Sequence, residues 1–330
     1  MKVIEQDKCL LFDIGGTSIR AGVYKRSENQ VKKIVKFNTV GVRSNDEMFT
    51  ESLFDQISRI SLDLLDGRHP MGVCIGYPAP IDAEGYALRT PTIWRNKSVK
   101  PYPISKRFEE IWPDSKILLV NDVTAAGYAL VGQGFKNFCL ITVSSGIGNK
   151  LFIDGKHFVG PSGFGGELGH VRVDFSDDPL PCDCGDHGHL ASIASGRGTL
   201  KFVKREARRQ QSAFLRSAVA AMCRANVEAL TNEMLVEAFS QDDPWVTEMI
   251  EKSASYLGRS IAFIHSLTGV DNIFIMGGFS LALGEKYRKI LTKSAAQATW
   301  NIGQKWDEII RLVGIQEIGI VGAGHLISKL

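Results

Sequence analysis

The chain has 330 residues, 44% hydrophobic and 23% charged, an ordinary composition for a globular protein, and its length suggests about two domains. Its 39 basic and 36 acidic side chains leave a formal net charge of +3 with no basic block of the kind that tracks nucleic acid, so no nucleic-acid partner is expected. The opening MKVIEQDKCLLFDIGG carries charges where a signal peptide needs an apolar run, and no apolar stretch approaches the roughly 20 residues of a membrane span. These features read as a cytoplasmic protein with no membrane partner.

In chain order, CLLFDI is a short apolar run and SIRAGVYK alternates, both strand signals. MFTESLFDQISRISLDLLDG has helical spacing and closes on Gly67, while MGVCIGYPAP and KILLVND are apolar runs ending in turn or polar residues. Strand and helix signals in alternation give an α/β class. NFCLITVSSGIGNKLFIDGKHFVGPSG then reads as strand, glycine turn and strand, with IDGK as a hairpin turn. Beyond residue 195 helices dominate, the clearest amphipathic ones in SAFLRSAVAAMCRANVEAL and WVTEMIEKSASYLGRSIAFIHSLTG. NIFIMGGF supplies a last strand and turn, and EIGIVGAGHLISKL closes the chain.

Three glycine turns each end a strand. FDIGGTS places Asp13, Gly15, Gly16 and Thr17 where backbone N–H groups and a hydroxyl can face an anion. A dinucleotide or Walker motif would need a helix next, whereas SIRAGVYK alternates, so a tight hairpin explains this turn about as well as an anion site does. SSGIGN repeats the device with Ser144, Ser145, Gly146 and Gly148, and MGGF adds Gly277 and Gly278. Together the turns suggest one nucleotide held by several loops.

Of the six cysteines, Cys9, Cys74, Cys139 and Cys223 stand alone in apolar surroundings and read as core packing. Cys182 and Cys184 differ, because PCDCGDHGHL packs two cysteines, two histidines and two aspartates into one polar loop. A pair with one intervening residue is awkward for a disulfide and natural for a metal. A metal site, a redox switch and two reduced thiols in a solvated loop are the readings this stretch leaves open.

DIGGTSIRAGVY, NDVTAAG, GFGGELGHV and CDCGDHGHLASIASGRG resemble, in order and over nearly the whole chain, the motifs of the ROK family (repressor, open reading frame, kinase). The resemblance implies the actin-like, hexokinase-like ATPase fold, two ribonuclease H-like lobes around a cleft. The lobes are expected at 1–122, completed by a C-terminal helix at about 320–330, and at 123–319 with the zinc loop. Family repressors carry a helix-turn-helix ahead of the first glycine turn; here about a dozen residues precede Asp13, and a DNA-reading domain is not expected.

The resemblance makes the chain an ATP-dependent, magnesium-assisted sugar kinase acting on a primary hydroxyl. It implies Asp122 as catalytic base, a role that suits a carboxylate at the end of an apolar strand, although an aspartate there also serves as a helix N-cap. Asn121 and Glu167 are then substrate ligands, and the resemblance gives His170 one ring nitrogen toward a structural zinc and the other toward the sugar; Cys182 and Cys184 follow at a spacing that supports the metal, with His189 preferred and His187 the competitor as fourth ligand. Asp13, Gly15, Gly16, Thr17, Ser145, Gly146, Gly277 and Gly278 hold the nucleotide phosphates.

Four departures from the family pattern bear on the substrate. His189 stands where a third cysteine is usual, and Ala191 where sugar kinases tend to have a glutamate that accepts from hydroxyls near the anomeric carbon. Asn149 and Lys150 replace small glycines, with Lys150 read as a solvated strand residue in preference to one that reaches the phosphates. Thr92 replaces an asparagine, for which Asn96 or Trp94 would have to compensate. Loss of the Ala191 acceptor counts against glucose and toward an amino sugar (kanosamine-like) or a cyclitol (valiolone-like). An ordinary glucokinase, a non-catalytic sugar sensor and a zinc hydrolase are the competing readings, the last disfavoured because four protein ligands leave no position for water. A homodimer is expected, as in relatives.

Overall fold

The computed structural model describes residues 4–16, 18–39, 47–88, 101–160 and 162–330. Its main elements are β1 (Lys8–Ile14), β2 (Ser18–Lys25), β3 (Gln30–Asn38), α1 (Glu47–Leu64), β4 (Gly72–Tyr77), β5 (Lys116–Asn121), α2 (Asp122–Gly132), β6 (Phe138–Val143), β7 (Ile147–Ile153), β8 (Lys156–His157), α3 (Leu190–Ala194), α4 (Gly196–Arg209), α5 (Pro244–Thr268), β9 (Ile273–Met276), α6 (Gly278–Gln297), β10 (Ile310–Leu312) and α7 (Ile318–Ile327). Among the described residues no helix is long and apolar enough to cross a membrane.

Two compact units result, one of residues 1–136, 152–165 and 315–330, the other of 137–151 and 166–314. The first is built on a sheet of order β3-β2-β1-β4-β5, in which β3, β2 and β1 are antiparallel neighbours and β1, β4 and β5 run parallel. The second sheet has order β8-β7-β6-β9-β10, with β8 antiparallel to β7 and β6, β9 and β10 parallel. In chain order both sheets follow the same path: three strands laid outward from the first, then two more on its other side. That duplicated α/β plan is the one expected of the actin-like, hexokinase-like fold.

The first unit extends past residue 122, so α2 belongs with the strand that precedes it. The physical reason is α7, an apolar helix whose Gly322 and Ala323 are buried. A Cβ at Gly322 would lie 1.7 Å from the Ala125 carbonyl oxygen, so glycine is what lets α7 lie directly on α2. The rest of this unit's core centres on Phe12, Tyr77, Phe108 and Trp112, and Trp112 Nε1 donates to Ser61 Oγ at 2.9 Å.

The core of the second unit is formed by α4, α5 and α6 packed against its sheet, with Ile141, Ile275, Met249, Leu257 and Leu291 buried. Helix α5 is bounded by its sequence. Asp243 Oδ1 accepts from Val246 N at 2.8 Å at one end, and Gly269 in the left-handed region closes the other.

Two expectations need correction, and one strand is absent from them. SAFLRSAVAAMCRANVEAL is not one helix: it breaks into Gln211–Phe214, Ala218–Met222 and a 3₁₀ turn Val227–Ala229. Ser217 caps the middle piece and Arg224 and Ala225 take left-handed φ, so local side-chain and backbone geometry override the apolar spacing. NIFIMGGF is not the last strand, since Ile310–Leu312 pairs in parallel with it. The charged strand QVKKIVKFN was missed because, at the sheet edge, it is largely exposed and offers little apolar signal. The hairpin turn in IDGK is present, with Asp154 and Gly155 both at positive φ.

Candidate functional site

In the first unit the β1–β2 turn is a hairpin, closed by Gly15 N donating to Ser18 O at 2.9 Å and steadied by Thr39 Oγ1 donating to Gly15 O at 2.8 Å. The hairpin reading of this turn is the one its hydrogen bonds show. Asp13 lies opposite Arg20 across the hairpin, and Arg20 bridges it (3.8 Å) to Glu317, the residue that opens α7. Burial pushes the Asp13 carboxyl up to about 6, Arg20 pulling it down and Glu317 pushing it further up. Gly319 has no side chain because a Cβ there would sit 2.7–3.0 Å from the Asp13 carboxylate. Thr17 lies outside the described residues, as do Thr92, Trp94 and Asn96.

Asn121 and Asp122 mark the passage from β5 to α2. The N-cap is Asn121, not Asp122: its Oδ1 accepts from Val123 N at 3.0 Å and Thr124 N at 3.4 Å, and its Nδ2 donates to Ala79 O at 3.2 Å. Asp122 is the first helical residue, half-buried, with Oδ1 accepting from Val123 N at 2.8 Å. Gly76 of β4 makes room for this corner, because a Cβ there would meet Ala125 Cβ at 3.2 Å and Asp122 Cα at 3.4 Å.

In the second unit the Ser144–Gly146 turn joins β6 to β7, closed by Ser144 N donating to Gly146 O at 3.0 Å. Gly196 N donates to Ser144 O at 2.7 Å and Arg197 Nε to Ser145 O at 3.0 Å, so the start of α4 braces the turn. Gly277, at φ 108°, lies against the end of β6, where a Cβ would come within 2.5 Å of Val143 O; Gly278 then opens α6 with open space around it. Ser145, Gly146, Gly277 and Gly278 thus belong to the ends of adjacent parallel strands, with the N-terminus of α6 beside them.

Glu167 stands just before a 3₁₀ turn, Leu168–His170, whose His170 N donates to Glu167 O at 2.9 Å. His170, Cys182, Cys184 and His189 each contribute one ligand atom to a group lying within 4.8 Å of one another. Cys182 Sγ is 3.8 Å from His170 Nδ1, and Cys184 Sγ 3.2 Å from His189 Nδ1. The loop is drawn tight by Cys182 N donating to Asp186 O and Gly188 N to Leu180 O. Gly188 is at a left-handed φ of 72°, and a Cβ there would also lie 2.3 Å from Asp174 O. His187 is exposed and outside the cluster. Two thiols and two imidazoles this close suit a tetrahedral zinc, and burial raises the Cys182 thiol to about 11, a neutral state that an ion would displace.

Lys150 corrects an expectation: it is buried, 2% exposed, with Nζ 3.8 Å from Glu167 Oε1. Burial raises the Glu167 carboxyl above its ordinary value and Lys150 pulls it back. Sequence reasoning also passed over Arg197, which lies in the CDCGDHGHLASIASGRG motif and meets Asp183 of the cysteine loop at 3.1 Å as well as Ser145 O, and over Glu317, which lies in no motif. Ala191 occupies the first turn of α3 and offers no side-chain acceptor.

The second unit thus groups glycine turns, a carboxylate beside a lysine and a thiol–imidazole cluster, and the first a glycine hairpin and a helix-capped aspartate. Residues 9–329 match the model of the ROK family. A C(7)-cyclitol 7-kinase of Streptomyces hygroscopicus subsp. limoneus is 33% identical over 286 residues, 84% of this chain and 81% of that protein. A glucokinase of Halalkalibacterium halodurans is 25% identical over 96% of this chain and 94% of its own length. A ROK family glucokinase from Streptomyces griseus, solved with glucose and AMPPNP, has the same fold at TM-score 0.72 and 24% identity, over 97% of this chain and 98% of that one. On the family match from residue 9 to 329, the chain belongs to the ROK family.

Proposed function

We propose that this carbohydrate kinase transfers the γ-phosphoryl group of ATP to a primary hydroxyl of a cyclitol, with a modified hexose as the second substrate class. Asp122 carries the reading of the chemistry. It is half-buried, and it is fixed at the start of α2 by a cap that occupies Asn121 rather than the aspartate itself. There it takes the proton of the attacking hydroxyl as the oxygen–phosphorus bond forms and ADP leaves. Asn121 positions this residue and presents what remains of its amide to the substrate. Glu167 and His170 accept from and donate to substrate hydroxyls.

Asp13, Gly15, Gly16, Thr17, Ser145, Gly146, Gly277 and Gly278 hold the phosphates. Mg²⁺ bound with the nucleotide would supply charge neutralisation at the phosphates these residues hold. His170, Cys182, Cys184 and His189 would hold a structural zinc ion, which supplies a fixed tautomer and direction for the His170 ring. The cyclitol preference is supported by the likeness to C(7)-cyclitol 7-kinases and by Ala191, whose methyl group cannot satisfy a hydroxyl next to an anomeric carbon. A homodimer belongs to this reading, and a light-scattering mass of twice the 36.3 kDa chain is its check.

The test is a coupled ADP-release assay over cyclitols, free and N-acylated amino hexoses and glucose, with Asp122→Ala beside the wild type. Turnover centred on a cyclitol and lowered at least about 100-fold in the variant supports both parts. Equal turnover on glucose removes the substrate assignment, binding without turnover on every compound points to a sensor, and an unaffected variant removes Asp122 as base.

A further inference from the structure

Lysine is almost never fully buried unless its charge is paired. Lys150 nevertheless sits inside the second unit with its side chain 3% exposed, facing a Glu167 carboxylate that is 42% exposed. The first half of the strand that carries it is pressed against the 166–169 segment. A Cβ at Gly169 would lie 2.2 Å from Ile147 O. At Gly166, φ 78°, it would lie 2.3 Å from Asn149 O and 2.7 Å from Lys150 Nζ. Asn149 Oδ1 accepts from Leu168 N at 2.9 Å. Both glycines are therefore required by strand β7, and Asn149 and Lys150 together fix where the Glu167–His170 turn stands.

We propose that Lys150 is a positioning and specificity-determining residue, whose buried ammonium, with Asn149 beneath Leu168, holds the Glu167 carboxylate in one place as an acceptor-only group for the hydroxyls of a polyol substrate. The inference rests on the kinase reading, in which Glu167 meets substrate. A carboxylate anchored from behind by a buried cation keeps its outer oxygen for hydroxyl donors and is fixed in direction without help from solvent. Its expected signature is selective: the polyol is bound less well when the ammonium is gone, while the nucleotide and the phosphoryl-transfer step are barely touched.

Lys150→Met, of similar length and no charge, is assayed with the best polyol of the panel, together with Glu167→Gln and the double variant. The expected result is a rise of about tenfold or more in polyol KM, the scale of a lost hydrogen bond to a charged group, with kcat within about threefold and ATP KM unchanged. In the Glu167→Gln background, Lys150→Met should add less than about twofold, because the group it acts through is no longer an anion. A purely structural lysine would instead move both backgrounds equally or lower kcat and metal content together, and that outcome overturns the inference, as does an unmoved polyol KM. Lys150→Gln is measured in parallel, so that if Lys150→Met does not fold the same comparison is read from the second variant. Wild-type protein that turns over no polyol defeats the kinase reading; wild-type turnover with an unmoved KM in the variants defeats only the role of Lys150.

Discussion

Replacing Gly322 by alanine would test how firmly the C-terminal helix fixes the proposed base. The new Cβ would stand 1.7 Å from Ala125 O, 2.8 Å from Ala125 C and 2.9 Å from Ala129 N, all backbone atoms of α2 that no rotamer change can move. Ordinary contact begins at 3.4 Å, so the two helices must part by about 1.7 Å, the difference between those two distances. Overpacking of this kind costs about 3 kcal/mol or more where backbone meets backbone, and lowers the unfolding midpoint by roughly 5 °C or more. Since Asp122 opens the displaced helix, a shift on the order of 1 Å at the base would also cut kcat about 100-fold. Thermal unfolding and kcat are measured on the same preparations, with Gly314→Ala as control because nothing lies within 4 Å of a Cβ there. A Gly322→Ala protein that melts with the control and turns over like wild type would refute the argument.

Three further outcomes follow from other contacts. Asp13, raised from 3.8 to about 6, binds more protons in the folded than in the unfolded chain between those values, so its contribution makes stability fall as pH rises through that window, by up to about 3 kcal/mol. Asp13→Asn should remove that slope in urea titrations from pH 4 to 7, and identical slopes in both proteins would count against it. Asp243, 6% exposed, accepts from Val246 N and, through Oδ2, from Ala218 N at 2.6 Å; Asp243→Ala should cost about 2 kcal/mol or more in denaturant unfolding, and a loss below about 0.5 kcal/mol would contradict the double cap. Zinc per chain, measured by atomic emission, should survive His187→Ala and be lost in His189→Ala; the opposite pattern would move the fourth ligand to His187.

Much of this organisation can be read from local pattern. β1, β4 and β6 are apolar runs because they are buried in their sheets, and α5 announces both ends through Asp243 and Gly269. The cysteine loop is legible for the same reason, since three of its four clustered ligands lie within eight residues. What escapes is set by partners distant in sequence. Lys150 reads as a solvated strand residue because alternation says nothing of the glycine-rich 166–169 segment that covers it. Asn121 rather than Asp122 is the cap, since either residue type fits and only the backbone direction decides. The break of residues 212–230 into short turns comes from Ser217 and two left-handed residues, which apolar spacing does not register.

The Arg197 side chain holds the backbone of the Ser144–Gly146 turn with one nitrogen and the aspartate between the two loop cysteines with another. One guanidinium therefore shares its freedom of movement between two loops of the same unit. Whatever stills one of them leaves less disorder to be removed from the other, so an anion at the turn and an ion among the thiols, where both are bound, would favour each other without touching. The favour is reciprocal by thermodynamic necessity: the factor by which the first tightens the second is the factor by which the second tightens the first.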